Sequence, residues 1–120
     1  MEELTKTEER VMQLFWKLKK AFVKDVIEAM PGKTKPPYNT ISSVVRILEK
    51  KGYLSYTAYG KTHEYYPIIS KAAYRKMYLK KLLSGYFEDS PATLVSFLVE
   101  EEQLSEQEIN DLKKVIDQLP

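Results

Sequence analysis

Cysteine is absent from the sequence, and histidine occurs once, at His63. Disulfides, thiol catalysis and zinc sites built on Cys pairs are thereby excluded. A metal centre would need carboxylates almost alone, and no EF-hand loop or comparable cage is present, so no metal is expected. No apolar run approaches the roughly 18 residues of a transmembrane helix, which argues against membrane insertion. The start, Met1-Glu2-Glu3, lacks the basic-then-apolar pattern of a signal peptide, so the expected compartment is the cytoplasm. Equally missing are a nucleophile–base pairing, a phosphate-cradling glycine loop and a paired-carboxylate motif. The sequence therefore offers no seat for an enzyme or a cofactor. His63 reads as a surface residue of a strand, Trp16 as a core residue, and Glu100-Glu101-Glu102 as a solvated helix end.

What is present is a charge asymmetry. The net charge of the 120 residues is only +2. Residues 1–87 nevertheless hold 17 Lys and Arg against 8 Asp and Glu, whereas residues 88–120 hold 2 against 9. A basic front suits a polyanionic partner, and the acidic tail must serve another purpose.

Periodicity predicts three helices and a hairpin in the basic part. Thr5-Lys6-Thr7-Glu8 fits a capping box, and Val11, Leu14, Phe15 and Leu18 follow at helical spacing to about Lys19. A shorter helix puts Val23, Val26, Ile27 and Met30 on one face and stops at Pro31-Gly32. After the loop 33–37, helix 3 is expected from about Tyr38 to Lys51, closed by Gly52. Its apolar stripe is Ile41, Val44, Val45 and Leu48. The opposite face carries Asn39, Ser43, Arg46 and Lys50, flanked by Thr40 and Ser42. Small polar side chains let such a helix enter a groove about 12 Å wide, where Asn, Ser, Thr and Arg suit base edges and phosphates. For the helix alone, an ordinary solvated face is the competing reading.

The next segment favours the first reading. Leu54 to Ala58 and Thr62 to Tyr66 are aromatic and β-branched, and they flank Tyr59-Gly60-Lys61, a hairpin signal. Three helices and a hairpin in this order describe a winged helix-turn-helix, with Lys61 and Thr62 on the wing. Tyr53, Tyr56, Tyr65 and Tyr66 are expected mainly to pack across strands.

The rest is helical. Ser70 can cap a helix to about Tyr86, and Ser90 can cap another that opens at Pro91. The latter carries Leu94, Val95, Phe97, Leu98 and Val99, too much apolar surface for one solvated side. Ser105 and Glu108 form a second capping box before Ile109, Leu112, Ile116 and Leu119, spaced as in a helix–helix seam. About 50 residues cannot bury three apolar faces in a good private core. A second copy of the chain resolves this. Back-packing on the front of the same chain is the alternative. The expected organisation is a winged helix-turn-helix DNA-binding domain over residues 1–69 and a helical dimerisation region over residues 70–120. The fold class is mainly α with a small β-hairpin.

These motifs, taken in order, resemble the penicillinase-repressor family, the BlaI/MecI/CopY transcriptional regulators. The resemblance rests on Leu4-Thr5 with Glu8, Val11-Met12, Trp16, Val23 to Val26, Tyr38 to Ile41 and Arg46 to Leu54. It continues through Tyr65-Tyr66-Pro67, Phe87 to Pro91, Leu94-Val95, Leu104-Ser105 and Glu108 to Leu112. It implies a cytoplasmic homodimeric repressor that reads an inverted repeat in double-stranded DNA. Asn39, Thr40, Ser42, Ser43 and Arg46 occupy the positions that approach DNA in the family, and Lys61 and Thr62 occupy the wing; Lys50 joins them from the face assignment. Leu94, Val95, Phe97, Leu98, Ile109, Leu112, Ile116 and Leu119 would form the dimer contact.

The resemblance also implies release by a membrane sensor-protease that cuts the first dimerisation helix at an Asn-Phe bond. That dipeptide is absent here. A gapless alignment puts Phe97-Leu98 in its place, and Ser96-Phe97 is the nearest similar pair. The copper-responsive branch's cysteine cluster is absent too. Two other readings of the residues stay open: a winged-helix sensor for a small effector, and a winged helix that binds only protein.

Overall fold

Helix α1 (Lys6–Leu18) begins where its cap dictates. The Thr5 hydroxyl accepts the Glu8 N–H at 3.2 Å, and the Glu8 carboxylate accepts the Thr5 N–H at 3.1 Å. Two orphan amides of the first turn are thus satisfied reciprocally. The computed structural model describes residues 2–102 and 104–118, without the side chains of Glu102 and Ile116. The chain divides into two compact units, Met1–Lys71 and Ala72–Pro120.

In the first unit, α1 buries Val11, Met12 and Phe15 completely. Helix α2 (Val23–Ala29) adds Val23 and Val26. Lys35 reaches back to donate to the carbonyls of Glu28 and Met30, placing a cation on the negative end of α2. Helix α3 (Tyr38–Lys50) contributes Ile41, Val45 and Leu48, with Val44 half-buried. It ends in a Schellman arrangement. Gly52 takes φ +87°, its N–H donates to the Glu49 carbonyl, and the Tyr53 N–H donates to the Leu48 carbonyl, both at 3.0 Å. Glycine is needed there because a Cβ disfavours that φ.

Strands β1 (Leu54–Tyr59) and β2 (Thr62–Pro67) pair antiparallel, from Leu54 opposite Pro67 to Tyr59 opposite Thr62. The turn is therefore two residues, Gly60-Lys61, and not the three that the sequence suggests. Gly60 has φ +65° and no other residue does so in the turn, as in a type II′ hairpin. A bridge unseen in the sequence joins this hairpin to the front of the chain: Ala21 and Tyr65 exchange both backbone hydrogen bonds at 2.9 Å.

Three further side chains lock the unit. Lys51 Nζ lies 2.6 Å from Glu8 Oε1 and also donates to the Glu3 carbonyl at 2.9 Å. Tyr53, completely buried, donates its hydroxyl to the Glu2 carbonyl at 2.6 Å and so anchors the N-terminal arm. The Trp16 indole N–H donates to the Ile69 carbonyl at 2.9 Å.

The second unit is built from α4 (Lys71–Tyr86), α5 (Pro91–Glu102) and α6 (Glu106–Asp117). The Ser90 hydroxyl accepts the Thr93 N–H at 3.1 Å, and Ser105 with Glu108 forms the second capping box. Phe87 and Phe97 meet with ring centroids 5.6 Å apart. Among the described residues of this unit only Tyr74 and Leu83 are buried, and no side chain of α5 or α6 is.

Candidate nucleic-acid interface

Because Ile41, Val45 and Leu48 turn inward, the opposite side of α3 must face solvent. Asn39, Thr40, Ser43, Arg46 and Lys50 are exposed, and Ser42 is half-buried. Ile47 is exposed as well, at 42%, and adds an apolar surface to that face. The pattern already left Ile47 off the inward stripe, so its exposure was readable. The wing presents Lys61 and Thr62, both exposed.

An open cleft of about 450 Å³ separates α3 from the wing. Ser42, Arg46 and Glu49 form one wall, and Lys61, Thr62 and His63 belong to the other. Lys24, from the first turn of α2, and Tyr38, from the start of α3, also border it. Of the residues singled out in the sequence, the cleft gathers Ser42, Arg46, Lys61 and Thr62. Asn39, Thr40, Ser43 and Lys50 lie outside it, on the outward face of α3. Sequence reasoning passed over Lys24 and Tyr38, because their place beside the wing follows from packing and not from any local pattern.

Aromatic contacts brace the wing beside this cleft. The rings of Tyr56 and His63 stack, with centroids 4.0 Å apart and planes at 6°. Tyr56 also meets Tyr65 at 5.6 Å, and Phe22 meets Tyr59 at 6.1 Å. Burial pushes the Tyr65 phenol above its ordinary range, and the nearby Glu49 carboxylate adds to this against the opposing effect of Arg46. Tyr65 is therefore neutral at physiological pH. Among the described residues there is no cluster of three side chains able to hold a metal ion, and no helix long and apolar enough to cross a membrane.

In the second unit Leu94, Val95, Leu98, Ile109 and Leu112 are half-buried, and Phe97 is 47% exposed. Leu119 and the side chain of Ile116 lie outside the described residues. At about 100° per residue, Leu94, Val95, Phe97, Leu98 and Val99 spread over more than half of the circumference of α5. Ser96, Phe97 and Leu98 all lie inside this continuous helix.

A model of the penicillinase repressor family matches residues 4–118. The methicillin resistance regulatory protein MecI of Staphylococcus aureus (strain N315) is 25% identical over 114 residues, which make up 95% of this chain and 93% of that protein. The penicillinase repressor of Bacillus licheniformis is 25% identical over 116 residues, 97% of this chain and 91% of that protein.

Proposed function

The chain belongs to the penicillinase repressor family, a family of transcriptional regulators and not of enzymes, and we propose that it represses transcription as a homodimer bound to an inverted-repeat operator. The observation that carries this reading is the solvent face of α3, small and polar near its start and cationic further along, with Lys61 and Thr62 beside it on the wing. Residues 1–69 are the DNA-binding domain. Asn39, Thr40, Ser42, Ser43, Arg46 and Lys50 enter the major groove with α3, Ile47 offers an apolar contact for a thymine methyl, and Lys61 and Thr62 meet the flanking backbone.

Residues 70–120 are the dimerisation region. The half-buried and exposed apolar side chains of α5 and α6 support this, since a second copy would cover Leu94, Val95, Phe97, Leu98, Ile109 and Leu112. Linking two heads raises operator affinity by roughly 10²–10⁴ through effective concentration. Half-sites should stand about one helical turn apart, or a simple multiple of it. Release follows when the dimer is broken. A membrane sensor-protease cutting near Ser96-Phe97 or Phe97-Leu98 is one route, and such a cut requires local unwinding of α5. The site of action is the cytoplasm.

Selection of random duplexes by the purified protein at physiological salt tests the reading. Enrichment of one inverted repeat supports it. Binding without an enriched motif removes the operator, and no duplex binding at all turns the winged helix toward a protein partner.

A further inference from the structure

The major and minor grooves of a duplex are separated by a sugar–phosphate strand. If α3 lies in the major groove and the Gly60-Lys61 turn reaches the adjacent minor groove, that strand has to cross the cleft between them. We propose that this cleft is a phosphate seat, in which Arg46, Lys61 and Lys24 grip one backbone strand and Arg46 does not read a base. The inference rests on the DNA-binding reading above and assigns a role within it.

Membership of the cleft is the first support. Arg46 stands at the border between the outward face of α3, which it shares with Asn39, Ser43 and Lys50, and the side with Ser42 and Glu49 that lines the cleft. Asn39, Ser43 and Lys50 lie outside the cleft. Arg46 is the one cation of α3 that borders the cleft, so its guanidinium is placed to turn toward the wing. The second support is convergence. Lys24 comes from α2, Arg46 from α3 and Lys61 from the turn, three elements bringing positive charge to one concavity of about 450 Å³. The hydroxyls of Ser42 and Thr62 lie on facing walls and can donate to phosphate oxygens. Glu49 sits on the same wall as Arg46, nearly one turn further on. Its carboxylate repels phosphate from that end, which sets the strand toward Ser42.

The two roles of Arg46 differ in what a substitution changes. Loss of a phosphate contact weakens every sequence alike and removes about one released counterion, whereas loss of a base contact relaxes preference at one base pair. The test compares wild type, Arg46→Gln and Lys24→Gln on the selected operator and on a scrambled duplex, by fluorescence anisotropy across a salt series. Both positions are exposed, and equal thermal midpoints verify that the variants fold. Each variant is expected to weaken both duplexes by the same factor, about five- to tenfold, and to lower the salt slope by about two, one for each protomer of the dimer. Neutral methylphosphonate placed at one position per half-site should weaken wild type clearly more than Arg46→Gln. An Arg46→Gln loss confined to the operator, with an unchanged salt slope and altered preference at one base pair, overturns the phosphate seat while leaving the DNA-binding reading intact. Wild-type protein that binds neither duplex overturns both.

Discussion

Phe15→Ala should come close to unfolding the first unit. Phe15 is completely buried, as are Val11 and Met12 on the same helix, and its ring meets Tyr65 edge-on at 6.5 Å and 67°. Truncating a buried Phe costs about 3–5 kcal/mol, of which the edge-to-face pair is worth roughly 0.5–1.5. A unit of this size has a total stability of about 4–11 kcal/mol at the usual value per residue. The substitution therefore removes between about a quarter and all of it, and lowers the melting midpoint by roughly 12–40 °C. Phe15→Leu keeps most of the volume and should cost only about 1–1.5 kcal/mol. Urea unfolding followed by tryptophan fluorescence is the assay. Trp16 is the single tryptophan, and both it and its acceptor Ile69 belong to this unit, so the signal reports on it alone. A Phe15→Ala midpoint within about 1 kcal/mol of wild type, at an unchanged slope, would refute the claim that this ring ties α1 to the wing.

Burial raises the Glu8 carboxyl, but the bonds from Lys51 and Thr5 outweigh it and hold the group below its ordinary value. A depressed folded value stabilises the protein above the ordinary carboxylate range, near about 4.3, and that contribution disappears as pH falls through the folded value. Glu8→Gln should thus lower stability at pH 7 and flatten the acid limb in urea titrations; an unchanged limb would count against the pair. Glu88 and Asp89 both adopt left-handed backbone, φ 53° and 59°, between α4 and α5. Glu88→Gly should raise the thermal midpoint of the second unit through a net gain of about 0.5–1 kcal/mol, and a fall would show that the Glu88 side chain compensates its strain. Phe97→Asp should shift the protein to monomer in sedimentation at micromolar concentration, and a persistent dimer would place the interface elsewhere.

Much of the fold was legible because its signals are local. Thr5 with Glu8, Ser105 with Glu108, and Gly52 each fix a helix end by backbone bonds within a few residues. The apolar stripe of α3 fixed which side faces outward. The Ala21–Tyr65 bridge left no such trace, since two residues carry no periodicity and their partner lies over forty residues away. The cleft escaped for the same reason: Lys24, Tyr38 and the wing become neighbours only once α2 and α3 pack. The bond from Tyr53 to the Glu2 carbonyl was not legible either, since it spans 51 residues and follows from no local pattern.

The fastening of the wing at Ala21–Tyr65 and again at Phe22–Tyr59 leaves only Gly60 and Lys61 beyond it. A finger held in this way changes its reach in steps. One inserted residue would invert the alternation of its strand and turn Tyr65 out of the core, whereas one added to each strand keeps the inward set inward. Gly60 has no neighbour within 4 Å of a would-be Cβ, so the space ahead of the turn is open to such growth. Paired insertions at the turn are therefore expected to lengthen the wing with its inward set preserved, whereas a single residue inserted within β2 ahead of Tyr65 is expected to destabilise the unit.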